Sequence, residues 1–245
     1  MRLGQHFLVD GEVALRQVEF AEIDDDDTVL EIGPGTGMLT RVLAERAGKV
    51  YAVELDEALA NSIRREFPSV EVIVGDARTV DLPVFDKVVA NIPYYISSEI
   101  TFRLLDIEFD SGVIMYQREF AERLCAEYGR GISRLTINAA VRAECTLLEI
   151  VPRQAFKPIP KVDSALVGIL PRELDEHPDE AFLDRFLSAV FSQRRKRLST
   201  TVAKTYSLDK DEVDALLPIP GCRVDEMSVD EVIELVMAIE DMVAE

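Results

Sequence analysis

The tetrapeptide Asn91-Ile92-Pro93-Tyr94 brings two hydrogen-bond acceptors and an aromatic ring to the end of an apolar run. The Asn91 side-chain oxygen and the Ile92 carbonyl can both accept hydrogen bonds from one amine. The exocyclic amine of adenine is a poor nucleophile, and two acceptors stabilise the positive charge that develops as it attacks a methyl group. Pro93 favours an extended Ile92, and Tyr94 can stack on an extruded base. Taken alone, the tetrapeptide is equally consistent with a loop that ends a strand and has no catalytic role.

A glycine-rich turn, Gly33-Pro34-Gly35-Thr36-Gly37, follows Glu31 where an apolar run meets an amphipathic segment. Glycines there let the backbone approach a ligand closely. The spacing is G-x-G-x-G, which differs from the dinucleotide pattern G-x-G-x-x-G. Glu54 ends the next apolar run, where its carboxylate can accept both ribose hydroxyls of an adenosine. Together, the glycine turn and Glu54 resemble the S-adenosylmethionine site of class I methyltransferases. This resemblance implies that Asp76 lies against the adenine of the cofactor. A nicotinamide-binding domain or a structural turn is the alternative.

These motifs are positioned by the strands and helices predicted between residues 28 and 116, where apolar runs alternate with amphipathic segments. They predict an α/β fold with a mostly parallel sheet and helices on both faces, the Rossmann-like fold of a class I methyltransferase. The predicted strands are 28–33, 49–54, 70–74, 85–90 and 112–116, and the predicted helices are 38–47 and 56–67. Strands at 144–151 and 164–170 are expected to add a hairpin at one sheet edge.

After Pro171 the strand pattern gives way to helical periodicity. The polar segment 173–179 predicts a linker, and helices are expected at 181–191, 196–206, 209–217 and 228–242. We therefore divide the chain into an S-adenosylmethionine-dependent methyltransferase domain, 1–173, and a small all-helical C-terminal domain, 174–245, that contributes to RNA or subunit binding.

Composition excludes several classes of protein. With 245 residues, 48% of them hydrophobic, the chain can bury a sizeable core and is not a disordered chain. No run approaches the roughly 18 apolar residues of a membrane helix, so we expect no membrane partner and a cytoplasmic location. Three scattered cysteines and two histidines argue against a disulfide framework, a metal site or a Ser-His-Asp hydrolase. The net charge of −19 fits a high-salt cytoplasm, where repulsion is screened, or simply an acidic mesophilic protein.

Five motifs stand in the order found in one enzyme family. They are Leu3-Gly4-Gln5-His6-Phe7-Leu8, the 31–37 turn, Asn91-Ile92-Pro93-Tyr94-Tyr95-Ile96-Ser97, Phe156-Lys157-Pro158-Ile159-Pro160-Lys161-Val162-Asp163-Ser164 and Phe191-Ser192-Gln193-Arg194-Arg195-Lys196. Together they resemble the small-subunit ribosomal RNA adenine dimethyltransferases, with an archaeal-type member as the expectation. The resemblance spans nearly the whole chain. It implies methyl transfer from S-adenosylmethionine to N6 of two adjacent adenines near the 3′ end of small-subunit RNA, late in subunit assembly.

The same resemblance implies the residues of the site. Expected cofactor contacts are His6, Leu8, Glu31, Gly33, Gly35, Glu54, Asp76 and Asn91. His6 departs from the asparagine that is usual at its position. Expected catalytic contacts to the base are Asn91, Ile92, Pro93, Tyr94 and Phe156. Phe156 would form the second face of a base sandwich with Tyr94, or would be a core residue that anchors a loop.

The run Arg194-Arg195-Lys196-Arg197 concentrates four cations in a strongly acidic chain. Phosphate contacts need such a cluster, so we expect it to bind RNA. A solvated helix face, or pairing with acids of the main domain, is the alternative. The expected partner is small-subunit RNA in a partly assembled subunit, bound by a monomer.

Three other functions compete with this one. The first is an antibiotic-resistance methyltransferase of large-subunit RNA, which has a similar fold and target motif; the 191–196 motif favours the small subunit. The second is a protein that mainly checks ribosome assembly, with methylation secondary. Intact donor and acceptor motifs argue against a catalytically dead module. The third is an adenine DNA methyltransferase, for which no separate base-reading domain is found.

Overall fold

The computed structural model describes residues 6–172 and 178–244, apart from the side chain of Arg130. Residues 3–5 of the first motif and residues 173–177 of the expected linker therefore lie outside the described residues. The strands are β1 (Phe7–Leu8), β2 (Thr28–Ile32), β3 (Lys49–Glu54), β4 (Val70–Val74), β5 (Lys87–Asn91), β6 (Ser111–Gln117), β7 (Ala143–Val151), β8 (Phe156–Lys157) and β9 (Ser164–Pro171). The helices are α1 (Gly11–Phe20), α2 (Met38–Arg46), α3 (Glu57–Glu66), α4 (Ser97–Leu105), α5 (Arg118–Leu124), α6 (Arg134–Arg142), α7 (Glu180–Ser192), α8 (Leu198–Tyr206), α9 (Lys210–Ala215) and α10 (Val229–Ala244).

A seven-stranded sheet in the order β4-β3-β2-β5-β6-β9-β7 forms the centre of the methyltransferase fold. Strands β2 to β6 pair in parallel, whereas β9 pairs antiparallel with both β6 and β7. The predictions of a mostly parallel sheet and of an antiparallel pair at one edge are confirmed. A separate two-stranded sheet joins β1 to β8.

Local sequence explains where the elements next to the site begin. The Asp10 carboxylate accepts hydrogen bonds from backbone N–H groups of the first turn of α1, and Asp56 does the same for α3; both are helix N-caps. Four of the five β2 residues are buried, as expected for a central parallel strand. The chain leaves β2 through the glycine turn and enters α2 at Gly37, whose φ is 86°.

The chain divides into two compact units. The first comprises the residues up to Ala121 together with Ala143–Pro171, and the second comprises Glu122–Arg142 and the chain from Arg172 onward. The division after Pro171 lies two residues from the expected boundary. Residues 122–142 differ from expectation, because Ile132 and Ile137 pack in one apolar cluster with α7, α8 and α10 rather than with the sheet.

Within the part of the chain that the structure describes, no helix has both the length and the apolar character needed to span a membrane.

Candidate active site

The site lies where β2 and β5 separate. These neighbouring strands pair only through Val29–Lys87 and Leu30–Val88, and beyond that point their carboxyl ends diverge. The strand order reverses between them, which is where open α/β sheets bind ligands. Gly33 and Asn91 face each other across the opening, since a Cβ at Gly33 would lie 3.7 Å from the Asn91 carbonyl oxygen.

A cavity of about 580 Å³ opens on the β3 side of this point. The ends of two strands contribute polar side chains to it: Glu54 is the last residue of β3, and Asp76 and Arg78 follow β4. The exposed ring of Tyr95 lines its other side. Its size suits a nucleoside-sized ligand.

The glycine turn borders this cavity and is tightly packed. Gly35 has a φ of +56°, and a Cβ there would come within 2.9 Å of Cδ1 of Phe7. A Cβ at Gly37 would come within 2.7 Å of Cε2 of Phe67. Side chains are therefore excluded by both backbone conformation and space, which leaves the backbone of the turn accessible to a ligand.

Glu54 is held rigidly at the edge of the cavity. It is 7% exposed. Its Oε2 accepts a hydrogen bond from the Gly35 N–H at 3.3 Å, and its Oε1 accepts one from the Asp56 N–H at 2.9 Å. Each carboxylate oxygen can accept a second bond. The geometry suits the expected pairing with two ribose hydroxyls.

Glu31 is buried behind this surface rather than lining it. It is 1% exposed, and it contributes to neither cavity described in this section. The pKa of the Glu31 carboxyl is raised to about 8, mainly by burial; the Thr40 hydroxyl opposes the rise, and the negative charge of Glu54 adds to it. Oε2 of Glu31 and Oγ1 of Thr40 lack hydrogen bonds of normal geometry within the described residues. Glu31 is therefore largely protonated at neutral pH.

Asp76, the expected adenine contact, is engaged by a residue that the sequence analysis missed. Arg78 donates from Nε to Oδ1 at 3.0 Å and from Nη2 to Oδ2 at 2.7 Å. The Arg78 guanidinium lowers the pKa of the Asp76 carboxyl to about 2. An arginine two residues after an aspartate that closely follows a strand is the sequence signal that could have identified this pair.

A second cavity, of about 100 Å³, lies on the β5 side and contains the target-base motif. Asn91, Tyr94 and Phe156 all line it, as the sequence analysis expects. The Asn91 Oδ1 is buried and has no hydrogen-bond partner within the described residues. Met115 also lines the cavity and was missed; it pairs in register with Asn91 across β5 and β6, a relation that only strand pairing reveals.

Tyr94 is fixed from two sides. Its hydroxyl is hydrogen-bonded to the Ser164 hydroxyl at 2.7 Å, and its ring is stacked 6.4 Å from the His6 ring at an interplanar angle of 27°. Burial raises the pKa of the Tyr94 phenol, which therefore stays neutral. Phe156 is buried, and its backbone pairs with Leu8 in the two-stranded sheet.

His6 directly precedes strand β1 and Leu8 belongs to it, and both residues lie at the site. The Nδ1–H of His6 donates a hydrogen bond of 2.7 Å to the Pro158 carbonyl. Leu8 is buried in the core of the first unit and lines a small pocket next to Gly33 and Asn91. Both residues thus lie next to the expected cofactor and base residues.

The basic run lies in the turn between α7 and α8 and not on a helix face. Arg194 donates a hydrogen bond to the Ile132 carbonyl at 2.9 Å and stacks 5.5 Å from the Phe191 ring. Arg197 packs over Gly221, where a Cβ would lie 3.5 Å from its guanidinium carbon. Arg195, Lys196 and Arg197 are exposed, whereas Arg194 is half-buried. The four cations are therefore not equivalent.

The family model for ribosomal RNA adenine dimethylase matches residues 1–239. The chain belongs to the ribosomal RNA adenine dimethylase family. This dimethylase is 45% identical to a probable ribosomal RNA small subunit methyltransferase A of Methanosarcina mazei, over 97% of this chain and 92% of the relative. It is 42% identical to the protein of that name in Thermococcus kodakarensis, over 95% of this chain and 87% of the relative.

Two crystal structures resemble the dimethylase over nearly its full length. A dimethyladenosine transferase from Plasmodium falciparum has a TM-score of 0.84 and 29% identity, covering 96% of this chain and 98% of that one. The 23S rRNA methyltransferase ErmE has a TM-score of 0.79 and 32% identity, covering 96% and 99%. The predicted family, fold class, methyltransferase activity and S-adenosylmethionine cofactor are confirmed, while the roles of individual site residues stay predictions.

Proposed function

We propose that this dimethylase methylates N6 of two adjacent adenines near the 3′ end of small-subunit ribosomal RNA, in a partly assembled subunit. The relatives named as small subunit methyltransferases support this substrate, because they are 45% and 42% identical to the chain. The 23S rRNA enzyme is 32% identical, which makes a large-subunit substrate the second candidate.

One observation carries the chemical part of the proposal: Oδ1 of Asn91 is buried and has no hydrogen-bond partner among the residues that the structure describes. A buried acceptor without a partner costs about 1–3 kcal/mol, so the cavity favours a ligand that brings an N–H donor. The exocyclic amine of adenine is such a donor. The carbonyl group of a uracil or guanine at the same place would leave Asn91 unsatisfied.

The residues of the larger cavity fit S-adenosylmethionine. The glycine turn leaves no room for a Cβ at Gly35, and Glu54 offers two fixed carboxylate oxygens. When bound, the cofactor supplies an electrophilic methyl group. Gly33, Glu54 and Pro93 line both cavities, so the groups that hold the cofactor and those that hold the base are contiguous.

In the smaller cavity the protein's own groups orient the target base. Asn91 Oδ1 and the Ile92 carbonyl accept hydrogen bonds from the amine and stabilise its developing positive charge. Tyr94, held by Ser164, and Phe156 offer aromatic surface to an extruded base. Pro93 fixes the loop that carries these acceptors.

For RNA contact we propose Arg195 and Lys196 as the phosphate-binding members of the basic run, because they are exposed and, unlike the equally exposed Arg197, do not pack over Gly221. Arg194 and Arg197 are engaged within the helical unit. The double variant Arg195→Gln/Lys196→Gln should lower the salt dependence of subunit binding by roughly 0.7–0.9 log units per lost contact. Arg194→Gln/Arg197→Gln is the matched variant and should mainly lower folding stability.

One chain is sufficient for this chemistry, since residues of a single chain line both cavities; we therefore propose a monomer. A ribosomal substrate would place the reaction in the cytoplasm.

The test incubates the protein and labelled S-adenosylmethionine with undermethylated small subunits, large subunits and naked small-subunit RNA, and then maps N6,N6-dimethyladenine. Label in two adjacent adenines of the small subunit is expected. Label confined to large subunits would instead identify the resistance type of enzyme. Tight small-subunit binding without methylation would identify an assembly factor.

A further inference from the structure

The turn after β4 fixes the backbone of Asp76 at the larger cavity. The Asp76 carbonyl accepts hydrogen bonds from the N–H groups of Thr79 and Val80, each at 2.9 Å. Arg103 of α4 donates from its two terminal nitrogens to the carbonyls of Ala77 and Val80. The turn is therefore fastened both to itself and to α4, which leaves the backbone that carries Asp76 little freedom to move.

The Asp76 side chain is held in turn by Arg78. A carboxylate has about four acceptor positions, two on each oxygen. Oδ1 of Asp76 accepts the backbone N–H and the Nε–H of Arg78, both at 3.0 Å, and Oδ2 accepts an Nη2–H at 2.7 Å. The Nε–H is shared with Oδ2 at 3.2 Å. Arg78 thus engages the carboxylate with three N–H groups, and Oδ2 has room for one more donor.

Acidic groups engage the Arg78 guanidinium from two directions. Its Nη1 lies 3.5 Å from the carboxylate of Glu99 on α4. The hydrogen bonds to Asp76 raise the pKa of the guanidinium, and the same bonds lower the pKa of the Asp76 carboxyl to about 2. Asp76 is therefore ionised at neutral pH, so the position that remains on Oδ2 is a charged acceptor and not a donor.

The location of this pair favours a role in recognition over one in folding. Exposed ion pairs add little to folding stability, and the Arg78 side chain is 41% exposed. Asp76 and Arg78 both line the larger cavity. A ligand that reaches Oδ2 must bring an N–H group, which the exocyclic amine of adenine does. Hypoxanthine has a carbonyl at the same ring position, whose lone pairs would face the carboxylate, and a site built to hydrogen-bond one group rejects an analogue that lacks it.

We propose that Arg78 is a positioning residue that makes Asp76 selective for the amino group of the cofactor's adenine. This inference rests on the cofactor site of the proposed function. Arg78 acts through Asp76, because it holds the carboxylate in one orientation and leaves it a single acceptor position. Without Arg78, the carboxylate must be ordered when the cofactor binds, and the ordering of one side chain lowers affinity about 2- to 10-fold.

Calorimetry with S-adenosylhomocysteine and S-inosylhomocysteine tests the proposal, because a carbonyl replaces the purine amino group in the second ligand. Arg78→Met keeps an apolar stem and removes the guanidinium. It should weaken S-adenosylhomocysteine binding about 2- to 10-fold and leave S-inosylhomocysteine binding unchanged. An equal loss for both ligands would mean that Arg78 only supports the cavity wall. Tighter binding of S-adenosylhomocysteine would mean that Arg78 blocks Asp76. Either result would overturn the proposal.

Two further variants test whether Arg78 acts through Asp76. In an Asp76→Ala background, Arg78→Met should have no further effect on S-adenosylhomocysteine binding, since no carboxylate is left to position; a second, additive loss would contradict the proposal. Arg78→Lys keeps the charge but loses the planar fork, so it should discriminate between the two ligands less than the native protein. Native discrimination by Arg78→Lys would show that charge alone suffices, and the positioning role would be wrong.

Arg41→Met is the matched control. It removes another exposed guanidinium, which binds Glu66 at 2.6 Å and lines neither cavity, so both ligands should bind as they do to the native protein. Urea denaturation verifies that each variant is folded. If the native protein binds neither ligand, the cofactor site of the proposed function fails. If it binds both equally, the expected contact of Asp76 fails and this inference with it. If it prefers the adenine ligand and Arg78→Met keeps that preference undiminished, this inference alone is refuted.

Discussion

Replacing the buried Glu31 by glutamine should flatten the pH dependence of folding stability. The folded protein keeps this carboxyl protonated until about pH 8, whereas an unfolded chain ionises it near 4.5. Between these values the native state binds the extra proton, so the free energy of unfolding decreases as pH rises. The stabilisation is complete below about pH 4.5 and is lost once the pH exceeds about 8.

The size of the effect follows from the same values. Each pH unit inside the window costs about 1.4 kcal/mol, so the native protein should lose about 2.5 kcal/mol between pH 5 and 7 from Glu31 alone. Glutamine has nearly the shape of the protonated acid and does not titrate. The difference between native protein and Glu31→Gln should therefore grow by about 2.5 kcal/mol over this range, with the variant gaining relative stability.

Urea denaturation at pH 5, 6, 7 and 8, followed by far-ultraviolet circular dichroism because the chain has no tryptophan, gives the required free energies. Glu45→Gln, at an exposed position of α2, is the matched control and should follow the native curve. Parallel curves for native protein and Glu31→Gln would show that Glu31 is ionised in the folded state, and the argument from burial would be wrong.

Four further outcomes are expected. Glu54→Ala should weaken S-adenosylmethionine binding at least about 10- to 100-fold by calorimetry, because even one charge-assisted bond contributes about 1.5–3 kcal/mol; unchanged affinity would remove Glu54 from the site. Asn91→Ala should lower single-turnover methylation about 10²–10³-fold at saturating donor, with subunit binding little changed; a native rate would refute the acceptor mechanism. Gly35→Ala should cost at least about 1 kcal/mol in urea denaturation, since its φ is +56° and its Cβ meets Phe7; native stability would contradict this packing. Arg195→Gln/Lys196→Gln should flatten the salt dependence of subunit binding, and an identical slope would mean that neither residue contacts phosphate.

The sequence by itself determined the features that depend on neighbours in the chain. Strand β3 (Lys49–Glu54) and strand β4 (Val70–Val74) have the predicted bounds, because continuous apolar runs between turn residues are typical of buried parallel strands. The glycine turn and the 91–94 motif were located for the same reason. Family membership also followed from motif order. Helices α1, α4 and α6 were not predicted, since their short amphipathic patterns gain their stability from tertiary packing.

Only the tertiary structure decided which groups of the site are free and which are engaged. The Pro158 carbonyl, 152 residues away in sequence, accepts the hydrogen bond that determines the tautomer of His6. Arg78 donates a hydrogen bond to the Asp76 carboxylate. Arg194 looks like its neighbour Arg195 in sequence, yet its guanidinium binds the Ile132 carbonyl of a distant segment. The residue type determines the charge of a side chain and the hydrogen bonds it can form. The fold determines whether that side chain is buried and which partners it already has. Only the hydrogen-bonding groups that remain without such partners are available to a substrate.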